Sequence, residues 1–143
     1  MSTENAIVVV GVDGNARAQR AAEAAARLAS ATGAALHVVC AYARDESASI
    51  DAEGETVHVS IAQESADIAA RAAAELARLV SPITSTAVHA RPADALIAEA
   101  ARLDARVIVV GNRRMQGIAR VLGSVPAAVA HNATCDVYIV NTA

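Results

Sequence analysis

The amino-acid sequence predicts an α/β protein with an open, parallel, five-stranded sheet and helices on both faces. Uninterrupted apolar runs rich in β-branched residues, such as 6–13 and 106–111, indicate strands that are buried on both faces. Helical segments lie between these runs, and this alternation is typical of a parallel sheet. With 143 residues, 55% hydrophobic and 19% charged, the chain suits one domain spanning 1–143 and is not expected to be disordered.

The first half of the chain contains two strands and two helices in this prediction. A strand at 6–13 precedes an alanine-rich helix at 16–32, which Asn15 is placed to cap and Gly33 to end. A second strand follows at 36–42, and the polar, acidic stretch 43–56 is predicted to be a loop. A helix is then expected at 58–80. Its inward stripe has apolar or small residues three and four positions apart: Val57, Ile61, Ser65, Ile68, Ala72, Leu76 and Leu79.

The second half continues the same alternation. A third strand is predicted at 83–90, and Pro92 then suits the start of a helix at 93–105. That helix is expected to turn four residues inward: Leu96, Ile97, Ala100 and Ala101. The fourth strand is predicted at 106–111, Ser124 is expected to cap a helix that runs to about 132, and the last strand is predicted at 136–141.

Composition argues against several classes of function. The chain has two Tyr, no Phe, no Trp and a formal charge of −3, so it lacks the aromatic and basic surface of a typical single-strand nucleic-acid binder. Its apolar runs are too short to span a membrane. The N-terminal residues resemble no signal peptide, so a cytoplasmic protein is expected. Neither the two cysteines nor the four histidines are spaced as a disulfide framework or a metal site.

The stretch from 107 to 125 carries the strongest functional pattern. A buried strand ends in Gly111, a basic loop with Arg113, Arg114 and Arg120 follows, and Gly123-Ser124 opens a helix. The exposed N–H groups and the dipole of a helix N-terminus attract anions. The pattern therefore predicts a phosphate-binding turn and hence a nucleotide ligand. The alternative is an ordinary turn with a helix cap and a solvated basic loop.

Several short motifs along the chain carry a family resemblance. They are Val-Gly-Val-Asp-Gly (10–14), Ala-Arg-Pro-Ala-Asp-Ala-Leu (90–96), Val-Val-Gly-Asn-Arg (109–113), Leu-Gly-Ser-Val-Pro (122–126) and Cys-Asp-Val-Tyr-Ile-Val (135–140). In this order they resemble the universal stress protein family over essentially the whole length. The resemblance implies a Rossmann-like sheet with strand order 3-2-1-4-5. It also implies a site between strands 1 and 4, where many members bind ATP.

The resemblance assigns binding positions residue by residue. Gly111, Gly123, Ser124 and Val125 match positions that contact phosphate. Asp13 matches the residue near the ribose, with a solvated turn residue that assists Asn15 as the alternative. Val12 and Ala41 match positions that wall the adenine, and Val110 is expected beside them. Asn112 and Arg113 fall where the loop passes the phosphates. Arg113 or Arg114 is expected to neutralise the phosphate charge.

The chain departs from the family pattern G-x2-G-x9-G-[ST] in three ways. Arg114 replaces the second glycine, or Arg113 does if the gap is placed differently. The stretch from Gly111 to Gly123 is one residue short, and Pro126 stands where Ser or Thr is frequent. These changes affect the triphosphate pose more than the adenine pocket. ATP, AMP and cyclic AMP therefore all remain candidate ligands, and Mg²⁺ is expected only with a bound polyphosphate.

The favoured hypothesis is an adenine-nucleotide-binding regulator of the stress response with little or no hydrolysis, because no residue stands out as a general base. A slow ATPase and a ligand-free interaction protein are the alternatives. The last strand is a sheet edge, and such edges invite pairing. Family members commonly pair there, so a homodimer through residues 136–141 is expected.

Overall fold

A computed structural model describes residues 6–43, 54–112 and 122–143 of the chain. Its strands are β1 (Ile7–Gly11), β2 (Ala35–Tyr42), β3 (Ile83–His89), β4 (Val107–Asn112) and β5 (Asp136–Asn141). Its helices are α1 (Ala16–Thr32), α2 (Gly54–Leu76), α3 (Pro92–Leu103) and α4 (Ser124–Asn132). The predicted order of elements is therefore confirmed.

The five strands form one parallel sheet in the order β3-β2-β1-β4-β5. This confirms both the fold class and the strand order that the family resemblance implied. Strand β1 lies at the centre and pairs with β2 on one side and β4 on the other. Its residues Val8, Val9 and Val10 are at most 1% exposed, which explains why the run has no polar alternation.

Helices cover both faces of the sheet, as predicted. On one face, α1 and α2 pack on Val8, Val10 and Val38. On the other face, α3 and α4 pack on Val9, Val39 and other residues of opposite orientation. Four alanines of α1 have no exposed surface: Ala22, Ala25, Ala26 and Ala29. Small side chains of this kind let a helix lie close to the sheet, so the core needs no Phe or Trp.

Three predicted helix boundaries are confirmed by their local hydrogen bonds and dihedral angles. The Asn15 side chain accepts from the N–H groups of Arg17 and Ala18 at 3.1 and 3.2 Å, so it caps α1. Gly33 ends that helix with a φ of 74°, in the left-handed region that glycine adopts without strain. Pro92 is the first residue of α3.

The bounds of α2 and α3 differ from the prediction. Helix α2 covers Gly54–Leu76 rather than 58–80, so residues 54–56 of the predicted loop belong to the helix. Ala43 is described, and the rest of the predicted loop lies outside the described residues. The chain leaves the helix in a turn where Leu79 N–H donates to Leu76 O, ahead of Pro82. Helix α3 ends at Leu103 because Asp104 takes a left-handed φ of 53°.

The inward face of α3 also needs a correction. Ala101 was expected inside but is exposed, whereas Glu99 is buried. Glu99 Oε1 lies 3.0 Å from Nε2 of the buried His37 on β2, and its two oxygens accept from Arg102. His37 Nδ1 in turn lies 2.6 Å from Thr84 Oγ1 on β3. Because these partners satisfy the carboxylate, it is stable inside the protein.

Both cysteines of the chain lie among the described residues. Cys40 is buried, Cys135 is partly buried and both are free thiols. Burial is the main cause that raises the pKa of each thiol.

In the described part of the chain, no helix is long and apolar enough to cross a membrane. The same residues include no group of three His, Cys, Asp or Glu side chains that could hold a metal.

Candidate functional site

A cavity of about 530 Å³ opens at the carboxyl ends of β1 and β4. The chain runs from β1 through β2 to β3 on one side of β1 and then crosses over to β4 on the other side, so this is the topological switch point. Open α/β sheets bind ligands at such points. The volume falls within the range of roughly 300–1,000 Å³ that is common for small-molecule sites.

The inner wall of the cavity is apolar. Val12, which directly follows β1, lines it together with Val39 and Ala41 of β2. Val110 lines it from β4. Leu96 of α3 completes this wall. Val39, Ala41, Leu96 and Val110 lie on the sheet face that α3 and α4 cover, whereas Val12 packs with the core on the other face. None of the five carries a polar side chain. A flat apolar ring such as a purine could occupy this part of the cavity.

Asp13 lies at the rim and is exposed. Its Oδ1 accepts the Asn15 backbone N–H at 3.0 Å, and its Oδ2 accepts from Asn15 Nδ2 at 2.7 Å. Asp13 therefore orients the residue that caps α1. A carboxylate has about four acceptor sites, so these bonds leave capacity for a hydroxyl of a ligand.

The N-terminus of α4 forms the polar side of the cavity. Gly123, not Ser124 as predicted, occupies the cap position, because its C=O already accepts the Ala127 N–H at 3.0 Å. The Gly123 N–H donates to Asn112 Oδ1 at 3.0 Å. Within the described part of the chain, no side chain caps this helix.

The N–H groups that α4 can offer to an anion follow from these bonds. Gly123 N–H is engaged by Asn112, and Pro126 has no N–H. Ser124 and Val125 belong to the first turn, whose N–H groups have no intrahelical acceptor. The helix dipole adds positive potential at the same place. Two backbone donors at a helix end suit one phosphate group better than a chain of three.

Thr142 closes the cavity beside Gly111. Its side chain is so near that a Cβ on Gly111 would lie 2.8 Å from Thr142 Cγ2, closer than real contacts allow. Thr142 itself is 3% exposed. The absence of a side chain at Gly111 is therefore required by the packing at the end of β4.

The structure brings together nine of the eleven residues that the sequence assigned to the site. All nine line the cavity: Val12, Asp13, Ala41, Val110, Gly111, Asn112, Gly123, Ser124 and Val125. Arg113 and Arg114 lie outside the described residues, as does Arg120. Asn112 differs from the expectation in one respect, since its side chain is buried and binds Gly123.

Sequence reasoning did not find several other lining residues. Val39 and Leu96 follow from strand register and helix periodicity, because Val39 pairs with Gly11 of β1. Arg17, in the first turn of α1, is a basic residue at the rim that no motif singled out. Thr142 lies beyond the last strand, and no pattern in the sequence marks it.

Comparisons with known proteins agree with this architecture. The model of the universal stress protein family matches residues 4–141. Universal stress protein Rv1636 of Mycobacterium tuberculosis (strain ATCC 25618 / H37Rv) is 34% identical over 148 residues, which cover 94% of this chain and 95% of that protein.

Two solved structures have nucleotides. A crystal structure of a universal stress protein in complex with cAMP is 35% identical to this chain, with a TM-score of 0.65 and coverage of 96% and 98% of the two chains. The universal stress protein from Archaeoglobus fulgidus in complex with dAMP is 23% identical, with a TM-score of 0.67 and coverage of 94% and 96%. The second supports the fold alone. From the family match and the identity to Rv1636, the chain belongs to the universal stress protein family.

Proposed function

We propose that this chain binds an adenine nucleotide in the cavity at the ends of β1 and β4 and acts as a nucleotide-dependent regulator of the stress response. The observation that carries the proposal is the arrangement of the cavity, which joins an apolar wall to the uncapped N-terminus of α4. The similarity to a family member solved with cAMP supports the choice of an adenine nucleotide.

Each part of the ligand has its proposed partners. The adenine ring packs between Val12, Ala41 and Val110. Asp13 accepts hydrogen bonds from the ribose hydroxyls, as acidic residues do in dinucleotide-binding folds. The phosphate binds the N–H groups of Ser124 and Val125. Asn112 supports this turn through its bond to Gly123, and Gly111 lets Thr142 pack against the end of β4 beside Asn112.

A single phosphate group fits the described residues best, so we favour cAMP or AMP over ATP. The Gly123 N–H is already bonded to Asn112, and Pro126 provides none. The shortened glycine motif, with Arg114 in place of its second glycine, favours the same choice. Arg113 and Arg114 supply charge to a bound phosphate, and Mg²⁺ accompanies only a polyphosphate.

Calorimetric titration of the nucleotide-free protein with cAMP, AMP and ATP, with and without Mg²⁺, tests the proposal. We expect saturable binding of a monophosphate at micromolar concentration. The free energy of unfolding should then rise by about 2.7 kcal/mol at 100 times the dissociation constant. Gly123→Val places bulk beside the α4 N–H groups and should abolish binding, while Ala31→Val on the exposed side of α1 should not.

The same titration separates the alternatives. Tighter binding of ATP than of either monophosphate would contradict the proposed preference. Release of ADP above the level of Gly123→Val would favour a slow ATPase. Failure of every adenine nucleotide to bind or to shift the melting temperature would favour an interaction protein without a ligand.

The protein is further proposed to work in the cytoplasm as a homodimer through residues 136–141. Strand β5 pairs only with β4 among the described residues, so its other edge is available to a second copy. Tyr138 on this strand is 44% exposed, one of two large hydrophobic residues exposed in the described ranges. An exposed apolar edge strand favours pairing with another chain.

A further inference from the structure

The residue that follows β5 is held more firmly than an exposed chain segment. Thr142 donates its backbone N–H to Asn112 O at 3.1 Å. Its own carbonyl accepts from Arg20 Nη2 of α1, also at 3.1 Å. With 3% exposure, Thr142 is fastened on both sides of its α-carbon, to β4 and to α1. Segments beyond the last element usually fray unless such bonds hold them.

The side chain of Thr142 is part of the cavity wall. It lies against Gly111, with 2.8 Å between Thr142 Cγ2 and the place where a Cβ would stand. Ala21 of α1 lies on the other side of the same place, at 3.3 Å. The tail therefore fills the corner between β4 and α1, in the wall of the cavity that the start of α4 also lines.

Asn112 connects this tail to the phosphate-binding end of α4. Its backbone carbonyl accepts from Thr142, and its side-chain Oδ1 accepts from the Gly123 N–H at 3.0 Å. Asn112 is 2% exposed, so water does not replace these partners easily. Three hydrogen bonds in series thus run from Arg20 through Thr142 and Asn112 to Gly123.

We propose that Thr142 is a positioning residue of the nucleotide site. Arg20 anchors Thr142, and Thr142 holds the N-terminus of α4 in place through Asn112. It needs no contact with the phosphate for this role. Its effect on nucleotide affinity rests on the proposed function. Its effect on the Gly123 turn does not, and can be measured without any ligand.

The first test follows amide hydrogen exchange by NMR in the nucleotide-free protein. Arg20→Ala removes the anchor, and Thr142→Gly removes the side chain over Gly111. Both should speed exchange of the Gly123 N–H by roughly tenfold, as expected when a bonded turn opens locally. The amides of Val9 and Val109, buried in the central strands, should exchange at the wild-type rate.

The second test measures cAMP affinity for the same variants. We expect it to fall by roughly three- to tenfold, which corresponds to the loss of about one hydrogen bond. Arg27→Ala is the matched control, because it removes the same charge from an exposed position of the same helix. Arg20→Lys keeps the charge and one donor and should recover part of the affinity.

The outcomes separate this proposal from the previous one. Unchanged Gly123 exchange in both variants would overturn the role of Thr142, as would an equal loss of affinity in Arg27→Ala. Uniformly faster exchange that includes Val9 would show general destabilisation and also overturn it. If Gly123 exchange rises but the wild-type chain binds no nucleotide, the tail does hold the turn and the proposed function fails instead.

Discussion

Gly111 marks a position where one missing side chain decides the packing of the site. A Cβ there would lie 2.8 Å from Thr142 Cγ2, and the backbone of Thr142 is bonded on both sides, to Asn112 and Arg20. Gly11 ends β1, but a Cβ there would meet the side chain of Leu96, with the nearest methyl at 3.4 Å. The two glycines therefore differ in how much they depend on having no side chain.

Gly111→Ala should lower the free energy of unfolding by about 1–3 kcal/mol, because the tethered tail has to shift to admit the methyl group. The same substitution at Gly11 should cost less, since the Leu96 side chain can move by a few tenths of an ångström. Urea unfolding of both variants compares the two costs. A loss at Gly11 as large as that at Gly111 would contradict this account.

Asp13 can assist the cap of α1 and also lie near the ribose of a bound nucleotide. The carboxylate bonds to the backbone and side chain of Asn15, as expected for a turn residue that assists a helix cap. It also lies at the cavity rim, as expected for a residue near the ribose. Because each carboxylate oxygen can accept more than one hydrogen bond, the first role does not prevent the proposed second one.

At the scale of elements, a buried polar cluster fastens α3 to the sheet. Glu99 of α3 contacts His37 of β2 at 3.0 Å and accepts two hydrogen bonds from Arg102. Bonding from Arg102 is the largest of the causes that hold the pKa of the Glu99 carboxyl below its ordinary value. His37 lies on the same strand as Val39 and Ala41, so the cluster keeps α3 beside the apolar wall of the cavity.

Glu99→Gln should therefore destabilise the protein in a manner that depends on pH. Because the folded-state pKa is lowered, the ionised carboxylate stabilises the fold above its unfolded pKa, and this contribution disappears as pH falls through the folded value. At neutral pH we expect a loss of about 1–3 kcal/mol in the free energy of unfolding. The gap to wild type should begin to narrow near the ordinary glutamate pKa of about 4. It should close once the pH lies below the lowered folded-state pKa.

Denaturant unfolding at neutral and at acid pH measures this gap. Glu75→Gln, at an exposed position of α2, is the control and should leave stability unchanged at both. A gap for Glu99→Gln that stays constant down to the acid limit would show that the carboxylate charge contributes nothing.

At the scale of the whole molecule, the two edges of the sheet differ in character. Strand β3 carries Thr84, Ser85 and Thr86, whereas β5 carries the apolar run from Val137 to Val140. Polar side chains make an edge strand less prone to pair with another chain, whereas an apolar edge strand favours association. The difference places the proposed dimer at β5 rather than at β3.

Tyr138→Lys should convert the proposed dimer to a monomer without unfolding it, because the side chain is 44% exposed and a lysine there can reach water. The charge of this lysine would repel the charge of the same lysine on the second copy. Size-exclusion chromatography with light scattering gives the mass in solution. Ala74→Lys, exposed on α2, is the matched control. A Tyr138→Lys protein that still has the mass of a dimer would exclude β5 as the interface.

The sequence by itself determined the order of strands and helices, and with the family resemblance it determined the strand order and nine positions of the cavity. The physical reason is local. A strand buried on both faces must be apolar throughout. Asn15 and Gly33 act on the ends of the helix next to them in the chain. A glycine-bearing turn before a helix can likewise be predicted from a short stretch of sequence.

Only the tertiary structure decided what depends on partners far apart in the chain. Glu99 is buried because it contacts His37 on β2. Helix periodicity alone does not predict that a charged residue lies on the inward face. Gly123 rather than Ser124 occupies the cap position of α4, with its N–H bonded to Asn112, 11 residues earlier in the chain. Thr142 joins the cavity because the sheet brings the end of β5 beside β4 and α1, and no pattern within a short stretch of sequence encodes that proximity.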